Sequence, residues 1–111
     1  MTDGKEMHVD DSLIRSIFYE FTRDPMDSST RIMIVVALAM NGKMRMSDLM
    51  KLTGCGKSSI SNHVYRLEDA GYLKTRKVSI FSSPRVIVEI TDKGLEFYRK
   101  YVSIISKLSG K

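Results

Sequence analysis

The stretch SNHVYRLEDAGYL, residues 61–73, decides the fold prediction. On a helical wheel with about 100° per residue, Val64 and Leu67 fall within about 40° of Ile60, which defines an apolar face. The opposite face carries short polar, aromatic and guanidinium side chains rather than the Lys and Glu of an ordinary solvated helix: Ser58, Ser61, Asn62, Tyr65 and Arg66. The stretch therefore predicts a helix whose outer face is suited to contact with a polar partner.

The residues on the N-terminal side of this stretch predict a second, shorter helix. Ser47 can cap a helix over residues 48–52, and glycines at 54 and 56 predict a tight turn. The longer helix then runs from about Lys57 to residue 70, where Gly71 ends it. Two short helices joined by a glycine turn are typical of a helix-turn-helix.

The residues that follow predict a hairpin directly after the helix-turn-helix. Residues 72–80 and 85–90 have strand patterns, and Ser82, Ser83 and Pro84 between them predict a moderately long tip. Four bases lie in these strands against a single acid, Glu89: Lys74, Arg76, Lys77 and Arg85. Such extended cations suit phosphate or minor-groove contacts, although charged side chains also protect an edge strand from aggregation.

Helices are predicted on both sides of this core. Asp10 or Asp11 can cap a helix over residues 12–22. Ser28 or Ser29 can cap a second helix over residues 30–40, which is nearly all apolar and is therefore expected in the core. Residues 44–46 alternate like a short strand, and Thr91 caps a final helix over residues 92–108. The predicted fold class is therefore α+β, mostly helical, with a flexible tail over residues 1–9 and one winged-helix domain over residues 10–111.

Residues 61–73 resemble the recognition-helix pattern of the ArsR and MarR winged helix-turn-helix regulators, in which Ser-x-His-Leu leads into Leu-x-x-Ala-Gly-Tyr. Val64 stands where those families have Leu. Residues 90–94, ITDKG, are similar to the Leu-Thr-x-x-Gly that closes their wing. The resemblance covers residues 28–98, and it implies that the helix from Lys57 enters the major groove while the wing lies along the backbone or minor groove.

These features predict a sequence-specific double-stranded DNA-binding transcriptional regulator, more often a repressor than an activator. Arg66 can pair with guanine and Asn62 with adenine, and either can instead bind a phosphate. An alternative is a protein–protein interaction module in a larger assembly, which an apolar patch on the outer helix face would favour. The predicted DNA-binding residues are Lys57, Ser58, Ser59, Ser61, Asn62, Tyr65, Arg66, Arg76, Lys77 and Arg85.

The charge distribution agrees with a polyanionic partner. The net charge is +5, but residues 1–27 hold seven acids and three bases, whereas the other residues carry a net charge of +9. Release of counterions from nucleic acid favours binding to such a basic body. A merely solvated basic surface explains the charge equally well.

The last helix carries two apolar stripes, of which one suffices to pack against the core. The second, together with the stripe of the first helix, predicts a homodimer built from the terminal helices. Alternatively the two helices cover each other within one chain. The predicted interface residues are Leu13, Ile17, Phe18, Phe21, Tyr101, Ile104, Ile105 and Leu108.

Other functional classes have little support. One cysteine, Cys55, allows no internal disulfide and fits a reducing, cytoplasmic location, and the apolar run at residues 32–40 is too short to span a bilayer. We expect no metal or cofactor and no enzymatic activity. GCGKS at residues 54–58 lacks the first glycine of a phosphate-binding loop, since Lys51 stands there. His63 is expected to pack at the core edge, and the sequence identifies neither a small-molecule effector nor a redox role for Cys55.

Overall fold

The computed structural model describes residues 11–81 and 83–110, so the predicted tail over residues 1–9 lies outside the described residues. The described residues form five helices, as the sequence predicts, and the predicted short strand joins the two strands of the hairpin in a three-stranded antiparallel sheet. In chain order the elements are α1 (Asp11–Phe21), α2 (Ser29–Asn41), β1 (Lys43–Arg45), α3 (Met46–Thr53), α4 (Lys57–Asp69), β2 (Leu73–Ile80), β3 (Ser83–Ile90) and α5 (Asp92–Leu108).

Helix α2 is the central element of the core. The Ser28 hydroxyl caps it by accepting a hydrogen bond from the Arg31 backbone N–H at 3.2 Å. Gly42 ends it with φ +82°, and the Gly42 N–H donates to the Leu38 carbonyl. The helix contributes Ile34, Val35 and Leu38 to a core that is completed by side chains of α3, α4, the sheet and α5: Leu49, Ile60, Val64, Leu67, Leu73, Val88 and Phe97. This shared core fixes the orientation of α4.

The sheet has the order β1-β3-β2, and its edge strand β1 is short. Strand β1 pairs only with residues 87–89 of β3, whereas β2 pairs with the whole of β3, from Leu73↔Ile90 to Ile80↔Ser83. The tip half of the hairpin, which includes residues 83–86 of β3, therefore has no third strand and projects as a wing.

The wing tip differs from the prediction. Ser83 and Pro84 belong to β3, and the paired Ile80 and Ser83 leave only Phe81 and residue 82 between the strands. Pro84 is tolerated inside the strand because β1 does not reach it. Proline has no backbone N–H to donate, and at this position no third strand is present to accept a hydrogen bond. The sequence prediction ended the first strand correctly at Ile80 but began the second at Arg85, two residues too late, because it took Ser-Ser-Pro as the turn.

The start of α3 also differs from the prediction. The helix begins at Met46, so Ser47 lies inside it and does not cap it. Asp48 instead accepts from the Arg45 backbone N–H at 3.2 Å and pairs with the Arg45 guanidinium at 3.1 Å. This hydrogen bonding raises the pKa of Arg45 and lowers the pKa of Asp48. An ion pair across the first turn has taken the place of a serine cap.

Helices α1 and α5 meet at one end of α1. The Phe21 ring contacts Phe97 and Tyr101 edge-on, with centroids 5.8 and 5.9 Å apart, and Lys100 lies 3.4 Å from Glu20. Ile104 is buried within the chain. Of the eight residues predicted for a dimer interface, Phe21, Tyr101 and Ile104 are thus already packed within one chain, which corrects the expectation that the whole set is available.

The remaining members of the predicted interface are more accessible. Leu13 and Ile17 are half-buried, and Phe18, Ile105 and Leu108 are exposed. The exposed positions continue on Ile14 and Val102. Both terminal helices therefore keep an apolar strip on the surface of the single chain.

Candidate nucleic-acid interface

The turn between α3 and α4 is held by side-chain hydrogen bonds. The Thr53 hydroxyl donates to the Leu49 carbonyl at 2.7 Å and accepts from the Cys55 N–H at 3.2 Å. Gly54 has φ +73°, a left-handed conformation that suits glycine. Cys55 is half-buried against the core. The turn sets the angle between the two helices, as a helix-turn-helix requires.

Helix α4 directs its polar face outward because its apolar face is buried. Ile60, Val64 and Leu67 are buried against α2 and the sheet, as the wheel predicts. Nine of the ten predicted DNA-binding residues are exposed: Lys57, Ser58, Ser59, Ser61, Asn62, Tyr65, Arg76, Lys77 and Arg85. The tenth, Arg66, is partly buried.

The N-terminus of α4 is open to a hydrogen-bond acceptor. Side chains cap α2 and α5, through Ser28 and Thr91, but the residue before α4 is Gly56, which has no side chain to cap the helix. The free N–H groups of a helix start attract anions, and Lys57 adds a positive charge there. This end of α4 is therefore suited to a phosphate.

Arg66 has a partner within the chain. Its Nη2 forms an ion pair with Oδ1 of Asp24, which precedes Pro25 in the turn between α1 and α2. Forty-two residues separate the two in sequence, so a local pattern does not reveal the pair. The wheel correctly places Arg66 away from the apolar face, but its guanidinium is engaged rather than free.

A buried arginine lies behind Arg66 and organises the same turn. Arg31 is 6% exposed, its Nε donates to the Pro25 carbonyl at 2.7 Å, and its Nη2 donates to Asp27 at 3.2 Å. Its Nη1 lies 2.9 Å from Nδ1 of His63 on α4. The sequence offered one signal of this role, since Arg31 is a charged residue at the start of an otherwise apolar helix.

This contact fixes the protonation of His63. A guanidinium only donates hydrogen bonds, so Nδ1 of His63 is the acceptor and the proton of the neutral ring is on Nε2. Burial lowers the pKa of His63, and the charges of Arg31 and Arg66 lower it further. His63 packs at the core edge, as predicted, but it also joins α4 to α2.

The wing presents cations on both of its faces. In the register of β2 with β3, Arg76 lies opposite Ile87 and Arg85 opposite Val78, so the two arginines share one face. Lys77, opposite Val86, lies on the other face. Arg76 is 3.9 Å from Glu89, whereas Lys77 and Arg85 lie nearer the tip.

A groove of about 360 Å³ connects the wing with the start of α4. Lys57 and Ser61 line it from α4, Arg85 and Val86 line it from the wing, and Arg45 lines it from the end of β1. The outer face of α4 and the basic wing are therefore parts of one surface, which we call the α4–wing surface.

In the described parts of the chain, no cluster of acidic, histidine or cysteine side chains is arranged to hold a metal ion, and no helix is long and apolar enough to cross a membrane.

The fold and this surface define a winged helix-turn-helix protein. Residues 30–109 match the model of a winged helix DNA-binding domain family, and the chain belongs to that family. No curated protein is similar enough to count as a match.

Several solved structures share the fold. A transcriptional regulator homologue from Pyrococcus horikoshii is 27% identical, with a TM-score of 0.73 over 89% of this chain and 95% of its own. Two further structures, both solved with DNA, have the same fold at lower identity. Sco3205 of Streptomyces coelicolor, a MarR family regulator, is 22% identical, with a TM-score of 0.65 over 86% of this chain and 63% of its own. MepR of S. aureus is 13% identical, with a TM-score of 0.70 over 96% of this chain and 81% of its own. The chain shares the winged-helix fold of these regulators.

Proposed function

We propose that the protein is a sequence-specific regulator of transcription that binds double-stranded DNA and acts as a repressor. Helix α4 enters the major groove and the wing follows the neighbouring backbone or minor groove. The observation that carries this proposal is the α4–wing surface, in which an outward polar helix face and a basic hairpin adjoin through one groove. Two proteins of the same fold, solved in complex with DNA, support DNA as the partner.

Contacts to bases and to phosphates are assigned to different parts of this surface. Asn62 lies on the exposed face of α4 and can form a bidentate pair with adenine. Lys77 and Arg85 near the wing tip bind phosphates, and the uncapped start of α4 binds another. Arg66 is held by Asp24 and adds a further contact to a base or a phosphate only where this ion pair opens.

A protein–protein module is less well supported. Among the exposed side chains of α4, Tyr65 is the only large apolar one, and it is 64% exposed. An interface formed by this helix with another protein would require a larger apolar patch.

Selection of binding sites from random duplex DNA tests the proposal. A defined motif is expected, and if about six phosphates are contacted, affinity for it should fall roughly a thousandfold between about 50 and 200 mM salt. A reporter gene placed behind the selected motif should be less active when the protein is present. Failure to bind any duplex at low salt contradicts the proposal.

The matched variants Asn62→Ala and Lys77→Ala separate the two kinds of contact. Loss of Asn62 should reduce discrimination between the selected motif and random DNA by about 1–3 kcal/mol, because a base contact is lost. Loss of Lys77 should weaken binding to both duplexes alike and lower the salt slope by about one. Equal losses on both duplexes for Asn62→Ala would show that α4 does not read bases.

We also propose that the regulator is a homodimer formed by the terminal helices. The apolar side chains left on the surface of α1 and α5 support this arrangement. A two-fold axis between these helices would present two copies of α4 to successive major grooves, about 34 Å apart, on a palindromic site.

A further inference from the structure

The tip of the wing carries an aromatic side chain that the winged-helix fold does not require. Phe81 is 98% exposed, so its ring packs against nothing in the described chain. Its backbone has φ +51°, and it is the only residue other than glycine with a positive φ in the described residues. Two-residue hairpin connections favour glycine, asparagine or aspartate at such a position. Both the side chain and the backbone of Phe81 are thus unfavourable for the free protein.

The surroundings of Phe81 match one kind of partner. Lys77 and Arg85 lie on the two strands and on opposite faces of the hairpin. At the rise of a β-strand, Lys77 is about 10 Å and Arg85 about 7 Å from the last residue pair before the tip. The minor groove of duplex DNA has phosphates along both walls and base edges on its floor. A hairpin inserted into it would place a cation against each wall and the tip residue against the floor.

We propose that Phe81 is a wedge that enters the DNA minor groove at the wing tip and partly unstacks a base step there. This inference rests on the proposed binding of duplex DNA. Proteins that bind the minor groove insert apolar side chains such as Phe or Leu between base pairs and bend the duplex. Pyrimidine–purine steps unstack most easily, so Phe81 adds a preference for such a step outside the sequence read by α4.

The variants Phe81→Asn and Phe81→Leu test the wedge. Asparagine tolerates positive φ, so Phe81→Asn should raise the urea midpoint of unfolding while it removes the ring. On a labelled mixed-sequence duplex of about 30 base pairs, it should bind about tenfold more weakly and bend the duplex less, measured by energy transfer between the ends. Phe81→Leu keeps an apolar wedge and should retain most of the affinity and bend.

The salt dependence distinguishes the wedge from a phosphate contact. Loss of an uncharged side chain should leave the slope of log affinity against log salt unchanged, whereas Lys77→Ala should lower it by about one. Tyr19→Asn, which removes an exposed aromatic ring from α1, is the matched control and should bind like the wild type.

The possible outcomes separate this inference from the proposed function. If the wild type binds and bends the duplex and Phe81→Asn does so equally well, the wedge is wrong and the proposed function stands. If Phe81→Asn changes only the mass in sedimentation, the ring belongs to a protein interface and the wedge is wrong. If the wild type binds no duplex at low salt, both are wrong.

Discussion

At the residue scale, His63 links the stability of the fold to pH. Burial and the charges of Arg31 and Arg66 lower the pKa of His63 in the folded chain, whereas in the unfolded chain this pKa is about 6.5. The unfolded chain therefore takes up this proton at the higher pH. The stability that depends on neutral His63 is fully present above about pH 6.5 and is lost as the pH falls through the lower folded pKa.

Urea unfolding at a series of pH values between about 7.5 and 5 checks this prediction. The midpoint should decrease toward acid for the wild type and decrease less for His63→Gln, whose amide oxygen can accept from Arg31 but does not titrate. His8→Gln removes the other histidine of the chain and should behave like the wild type. An unchanged pH dependence in His63→Gln would contradict the assignment.

Asp24 competes with DNA for Arg66. The ion pair lies on the surface, where such pairs contribute up to about 1 kcal/mol, and its carboxylate also repels phosphates. Asp24→Asn should therefore raise duplex affinity about two- to fivefold at low salt and steepen the salt slope by about 0.9, because one more phosphate contact forms. Fluorescence anisotropy across salt concentrations measures both quantities.

A change of net charge alone must be separated from the release of Arg66. Asp11→Asn removes the same charge from the first turn of α1 and should raise affinity less, without steepening the slope. Equal effects of the two variants would mean that Asp24 acts only through net charge.

At the scale of elements, the junction between the wing and α5 depends on Gly94. A Cβ at this position would lie 2.3 Å from the Tyr72 carbonyl oxygen and 2.5 Å from Cδ1 of Ile90. Because the first of these neighbours is backbone, Gly94→Ala should destabilise the fold by about 1–3 kcal/mol, as overpacking does. Denaturant unfolding measures the loss. Gly56→Ala, whose Cβ would meet no atom within 4 Å, should cost much less, and equal losses would exclude the steric explanation.

The elements themselves were largely predictable from sequence because their signals are local. The apolar face of α4, the Ser28 and Thr91 caps and the glycines that end α2 and α4 all act within a few residues. The start of α3 was placed too late because an arginine–aspartate pair closes it instead of the expected serine. The wing tip was misplaced because a phenylalanine, an unusual residue for a turn, occupies it.

The candidate site was predictable only in part, for a physical reason. Helical periodicity separates the buried from the exposed positions of α4, but it does not show which exposed side chains find partners on other elements. The pairs Arg66–Asp24 and Arg31–His63 join residues 42 and 32 positions apart, so they form only after α1, α2 and α4 have packed. The same holds for Phe21, whose partners Phe97 and Tyr101 on α5 pack it against the core of one chain.

At the scale of the whole molecule, the apolar strips on the surface of α1 and α5 favour a second subunit. Phe18 on α1 is 63% exposed, and Ile105 on α5 is 45% exposed, next to exposed Val102 and Leu108. Burial of such strips contributes about 25 cal/mol per Å², which an isolated chain forgoes.

Sedimentation at micromolar concentration should therefore give twice the chain mass of 12.6 kDa. Ile104 is unsuitable for a test because it is buried within one chain, and a charge there would unfold the protein rather than separate subunits. Ile105→Asp places the charge on the exposed strip of α5 and should give a folded monomer. Since a dimer binds a palindrome through both copies of α4, this monomer should bind the selected duplex much more weakly. The control Met40→Asp, which charges an exposed position on α2, should leave the sedimentation mass and the DNA affinity unchanged. A wild type that is monomeric yet binds a palindrome tightly would contradict the dimer.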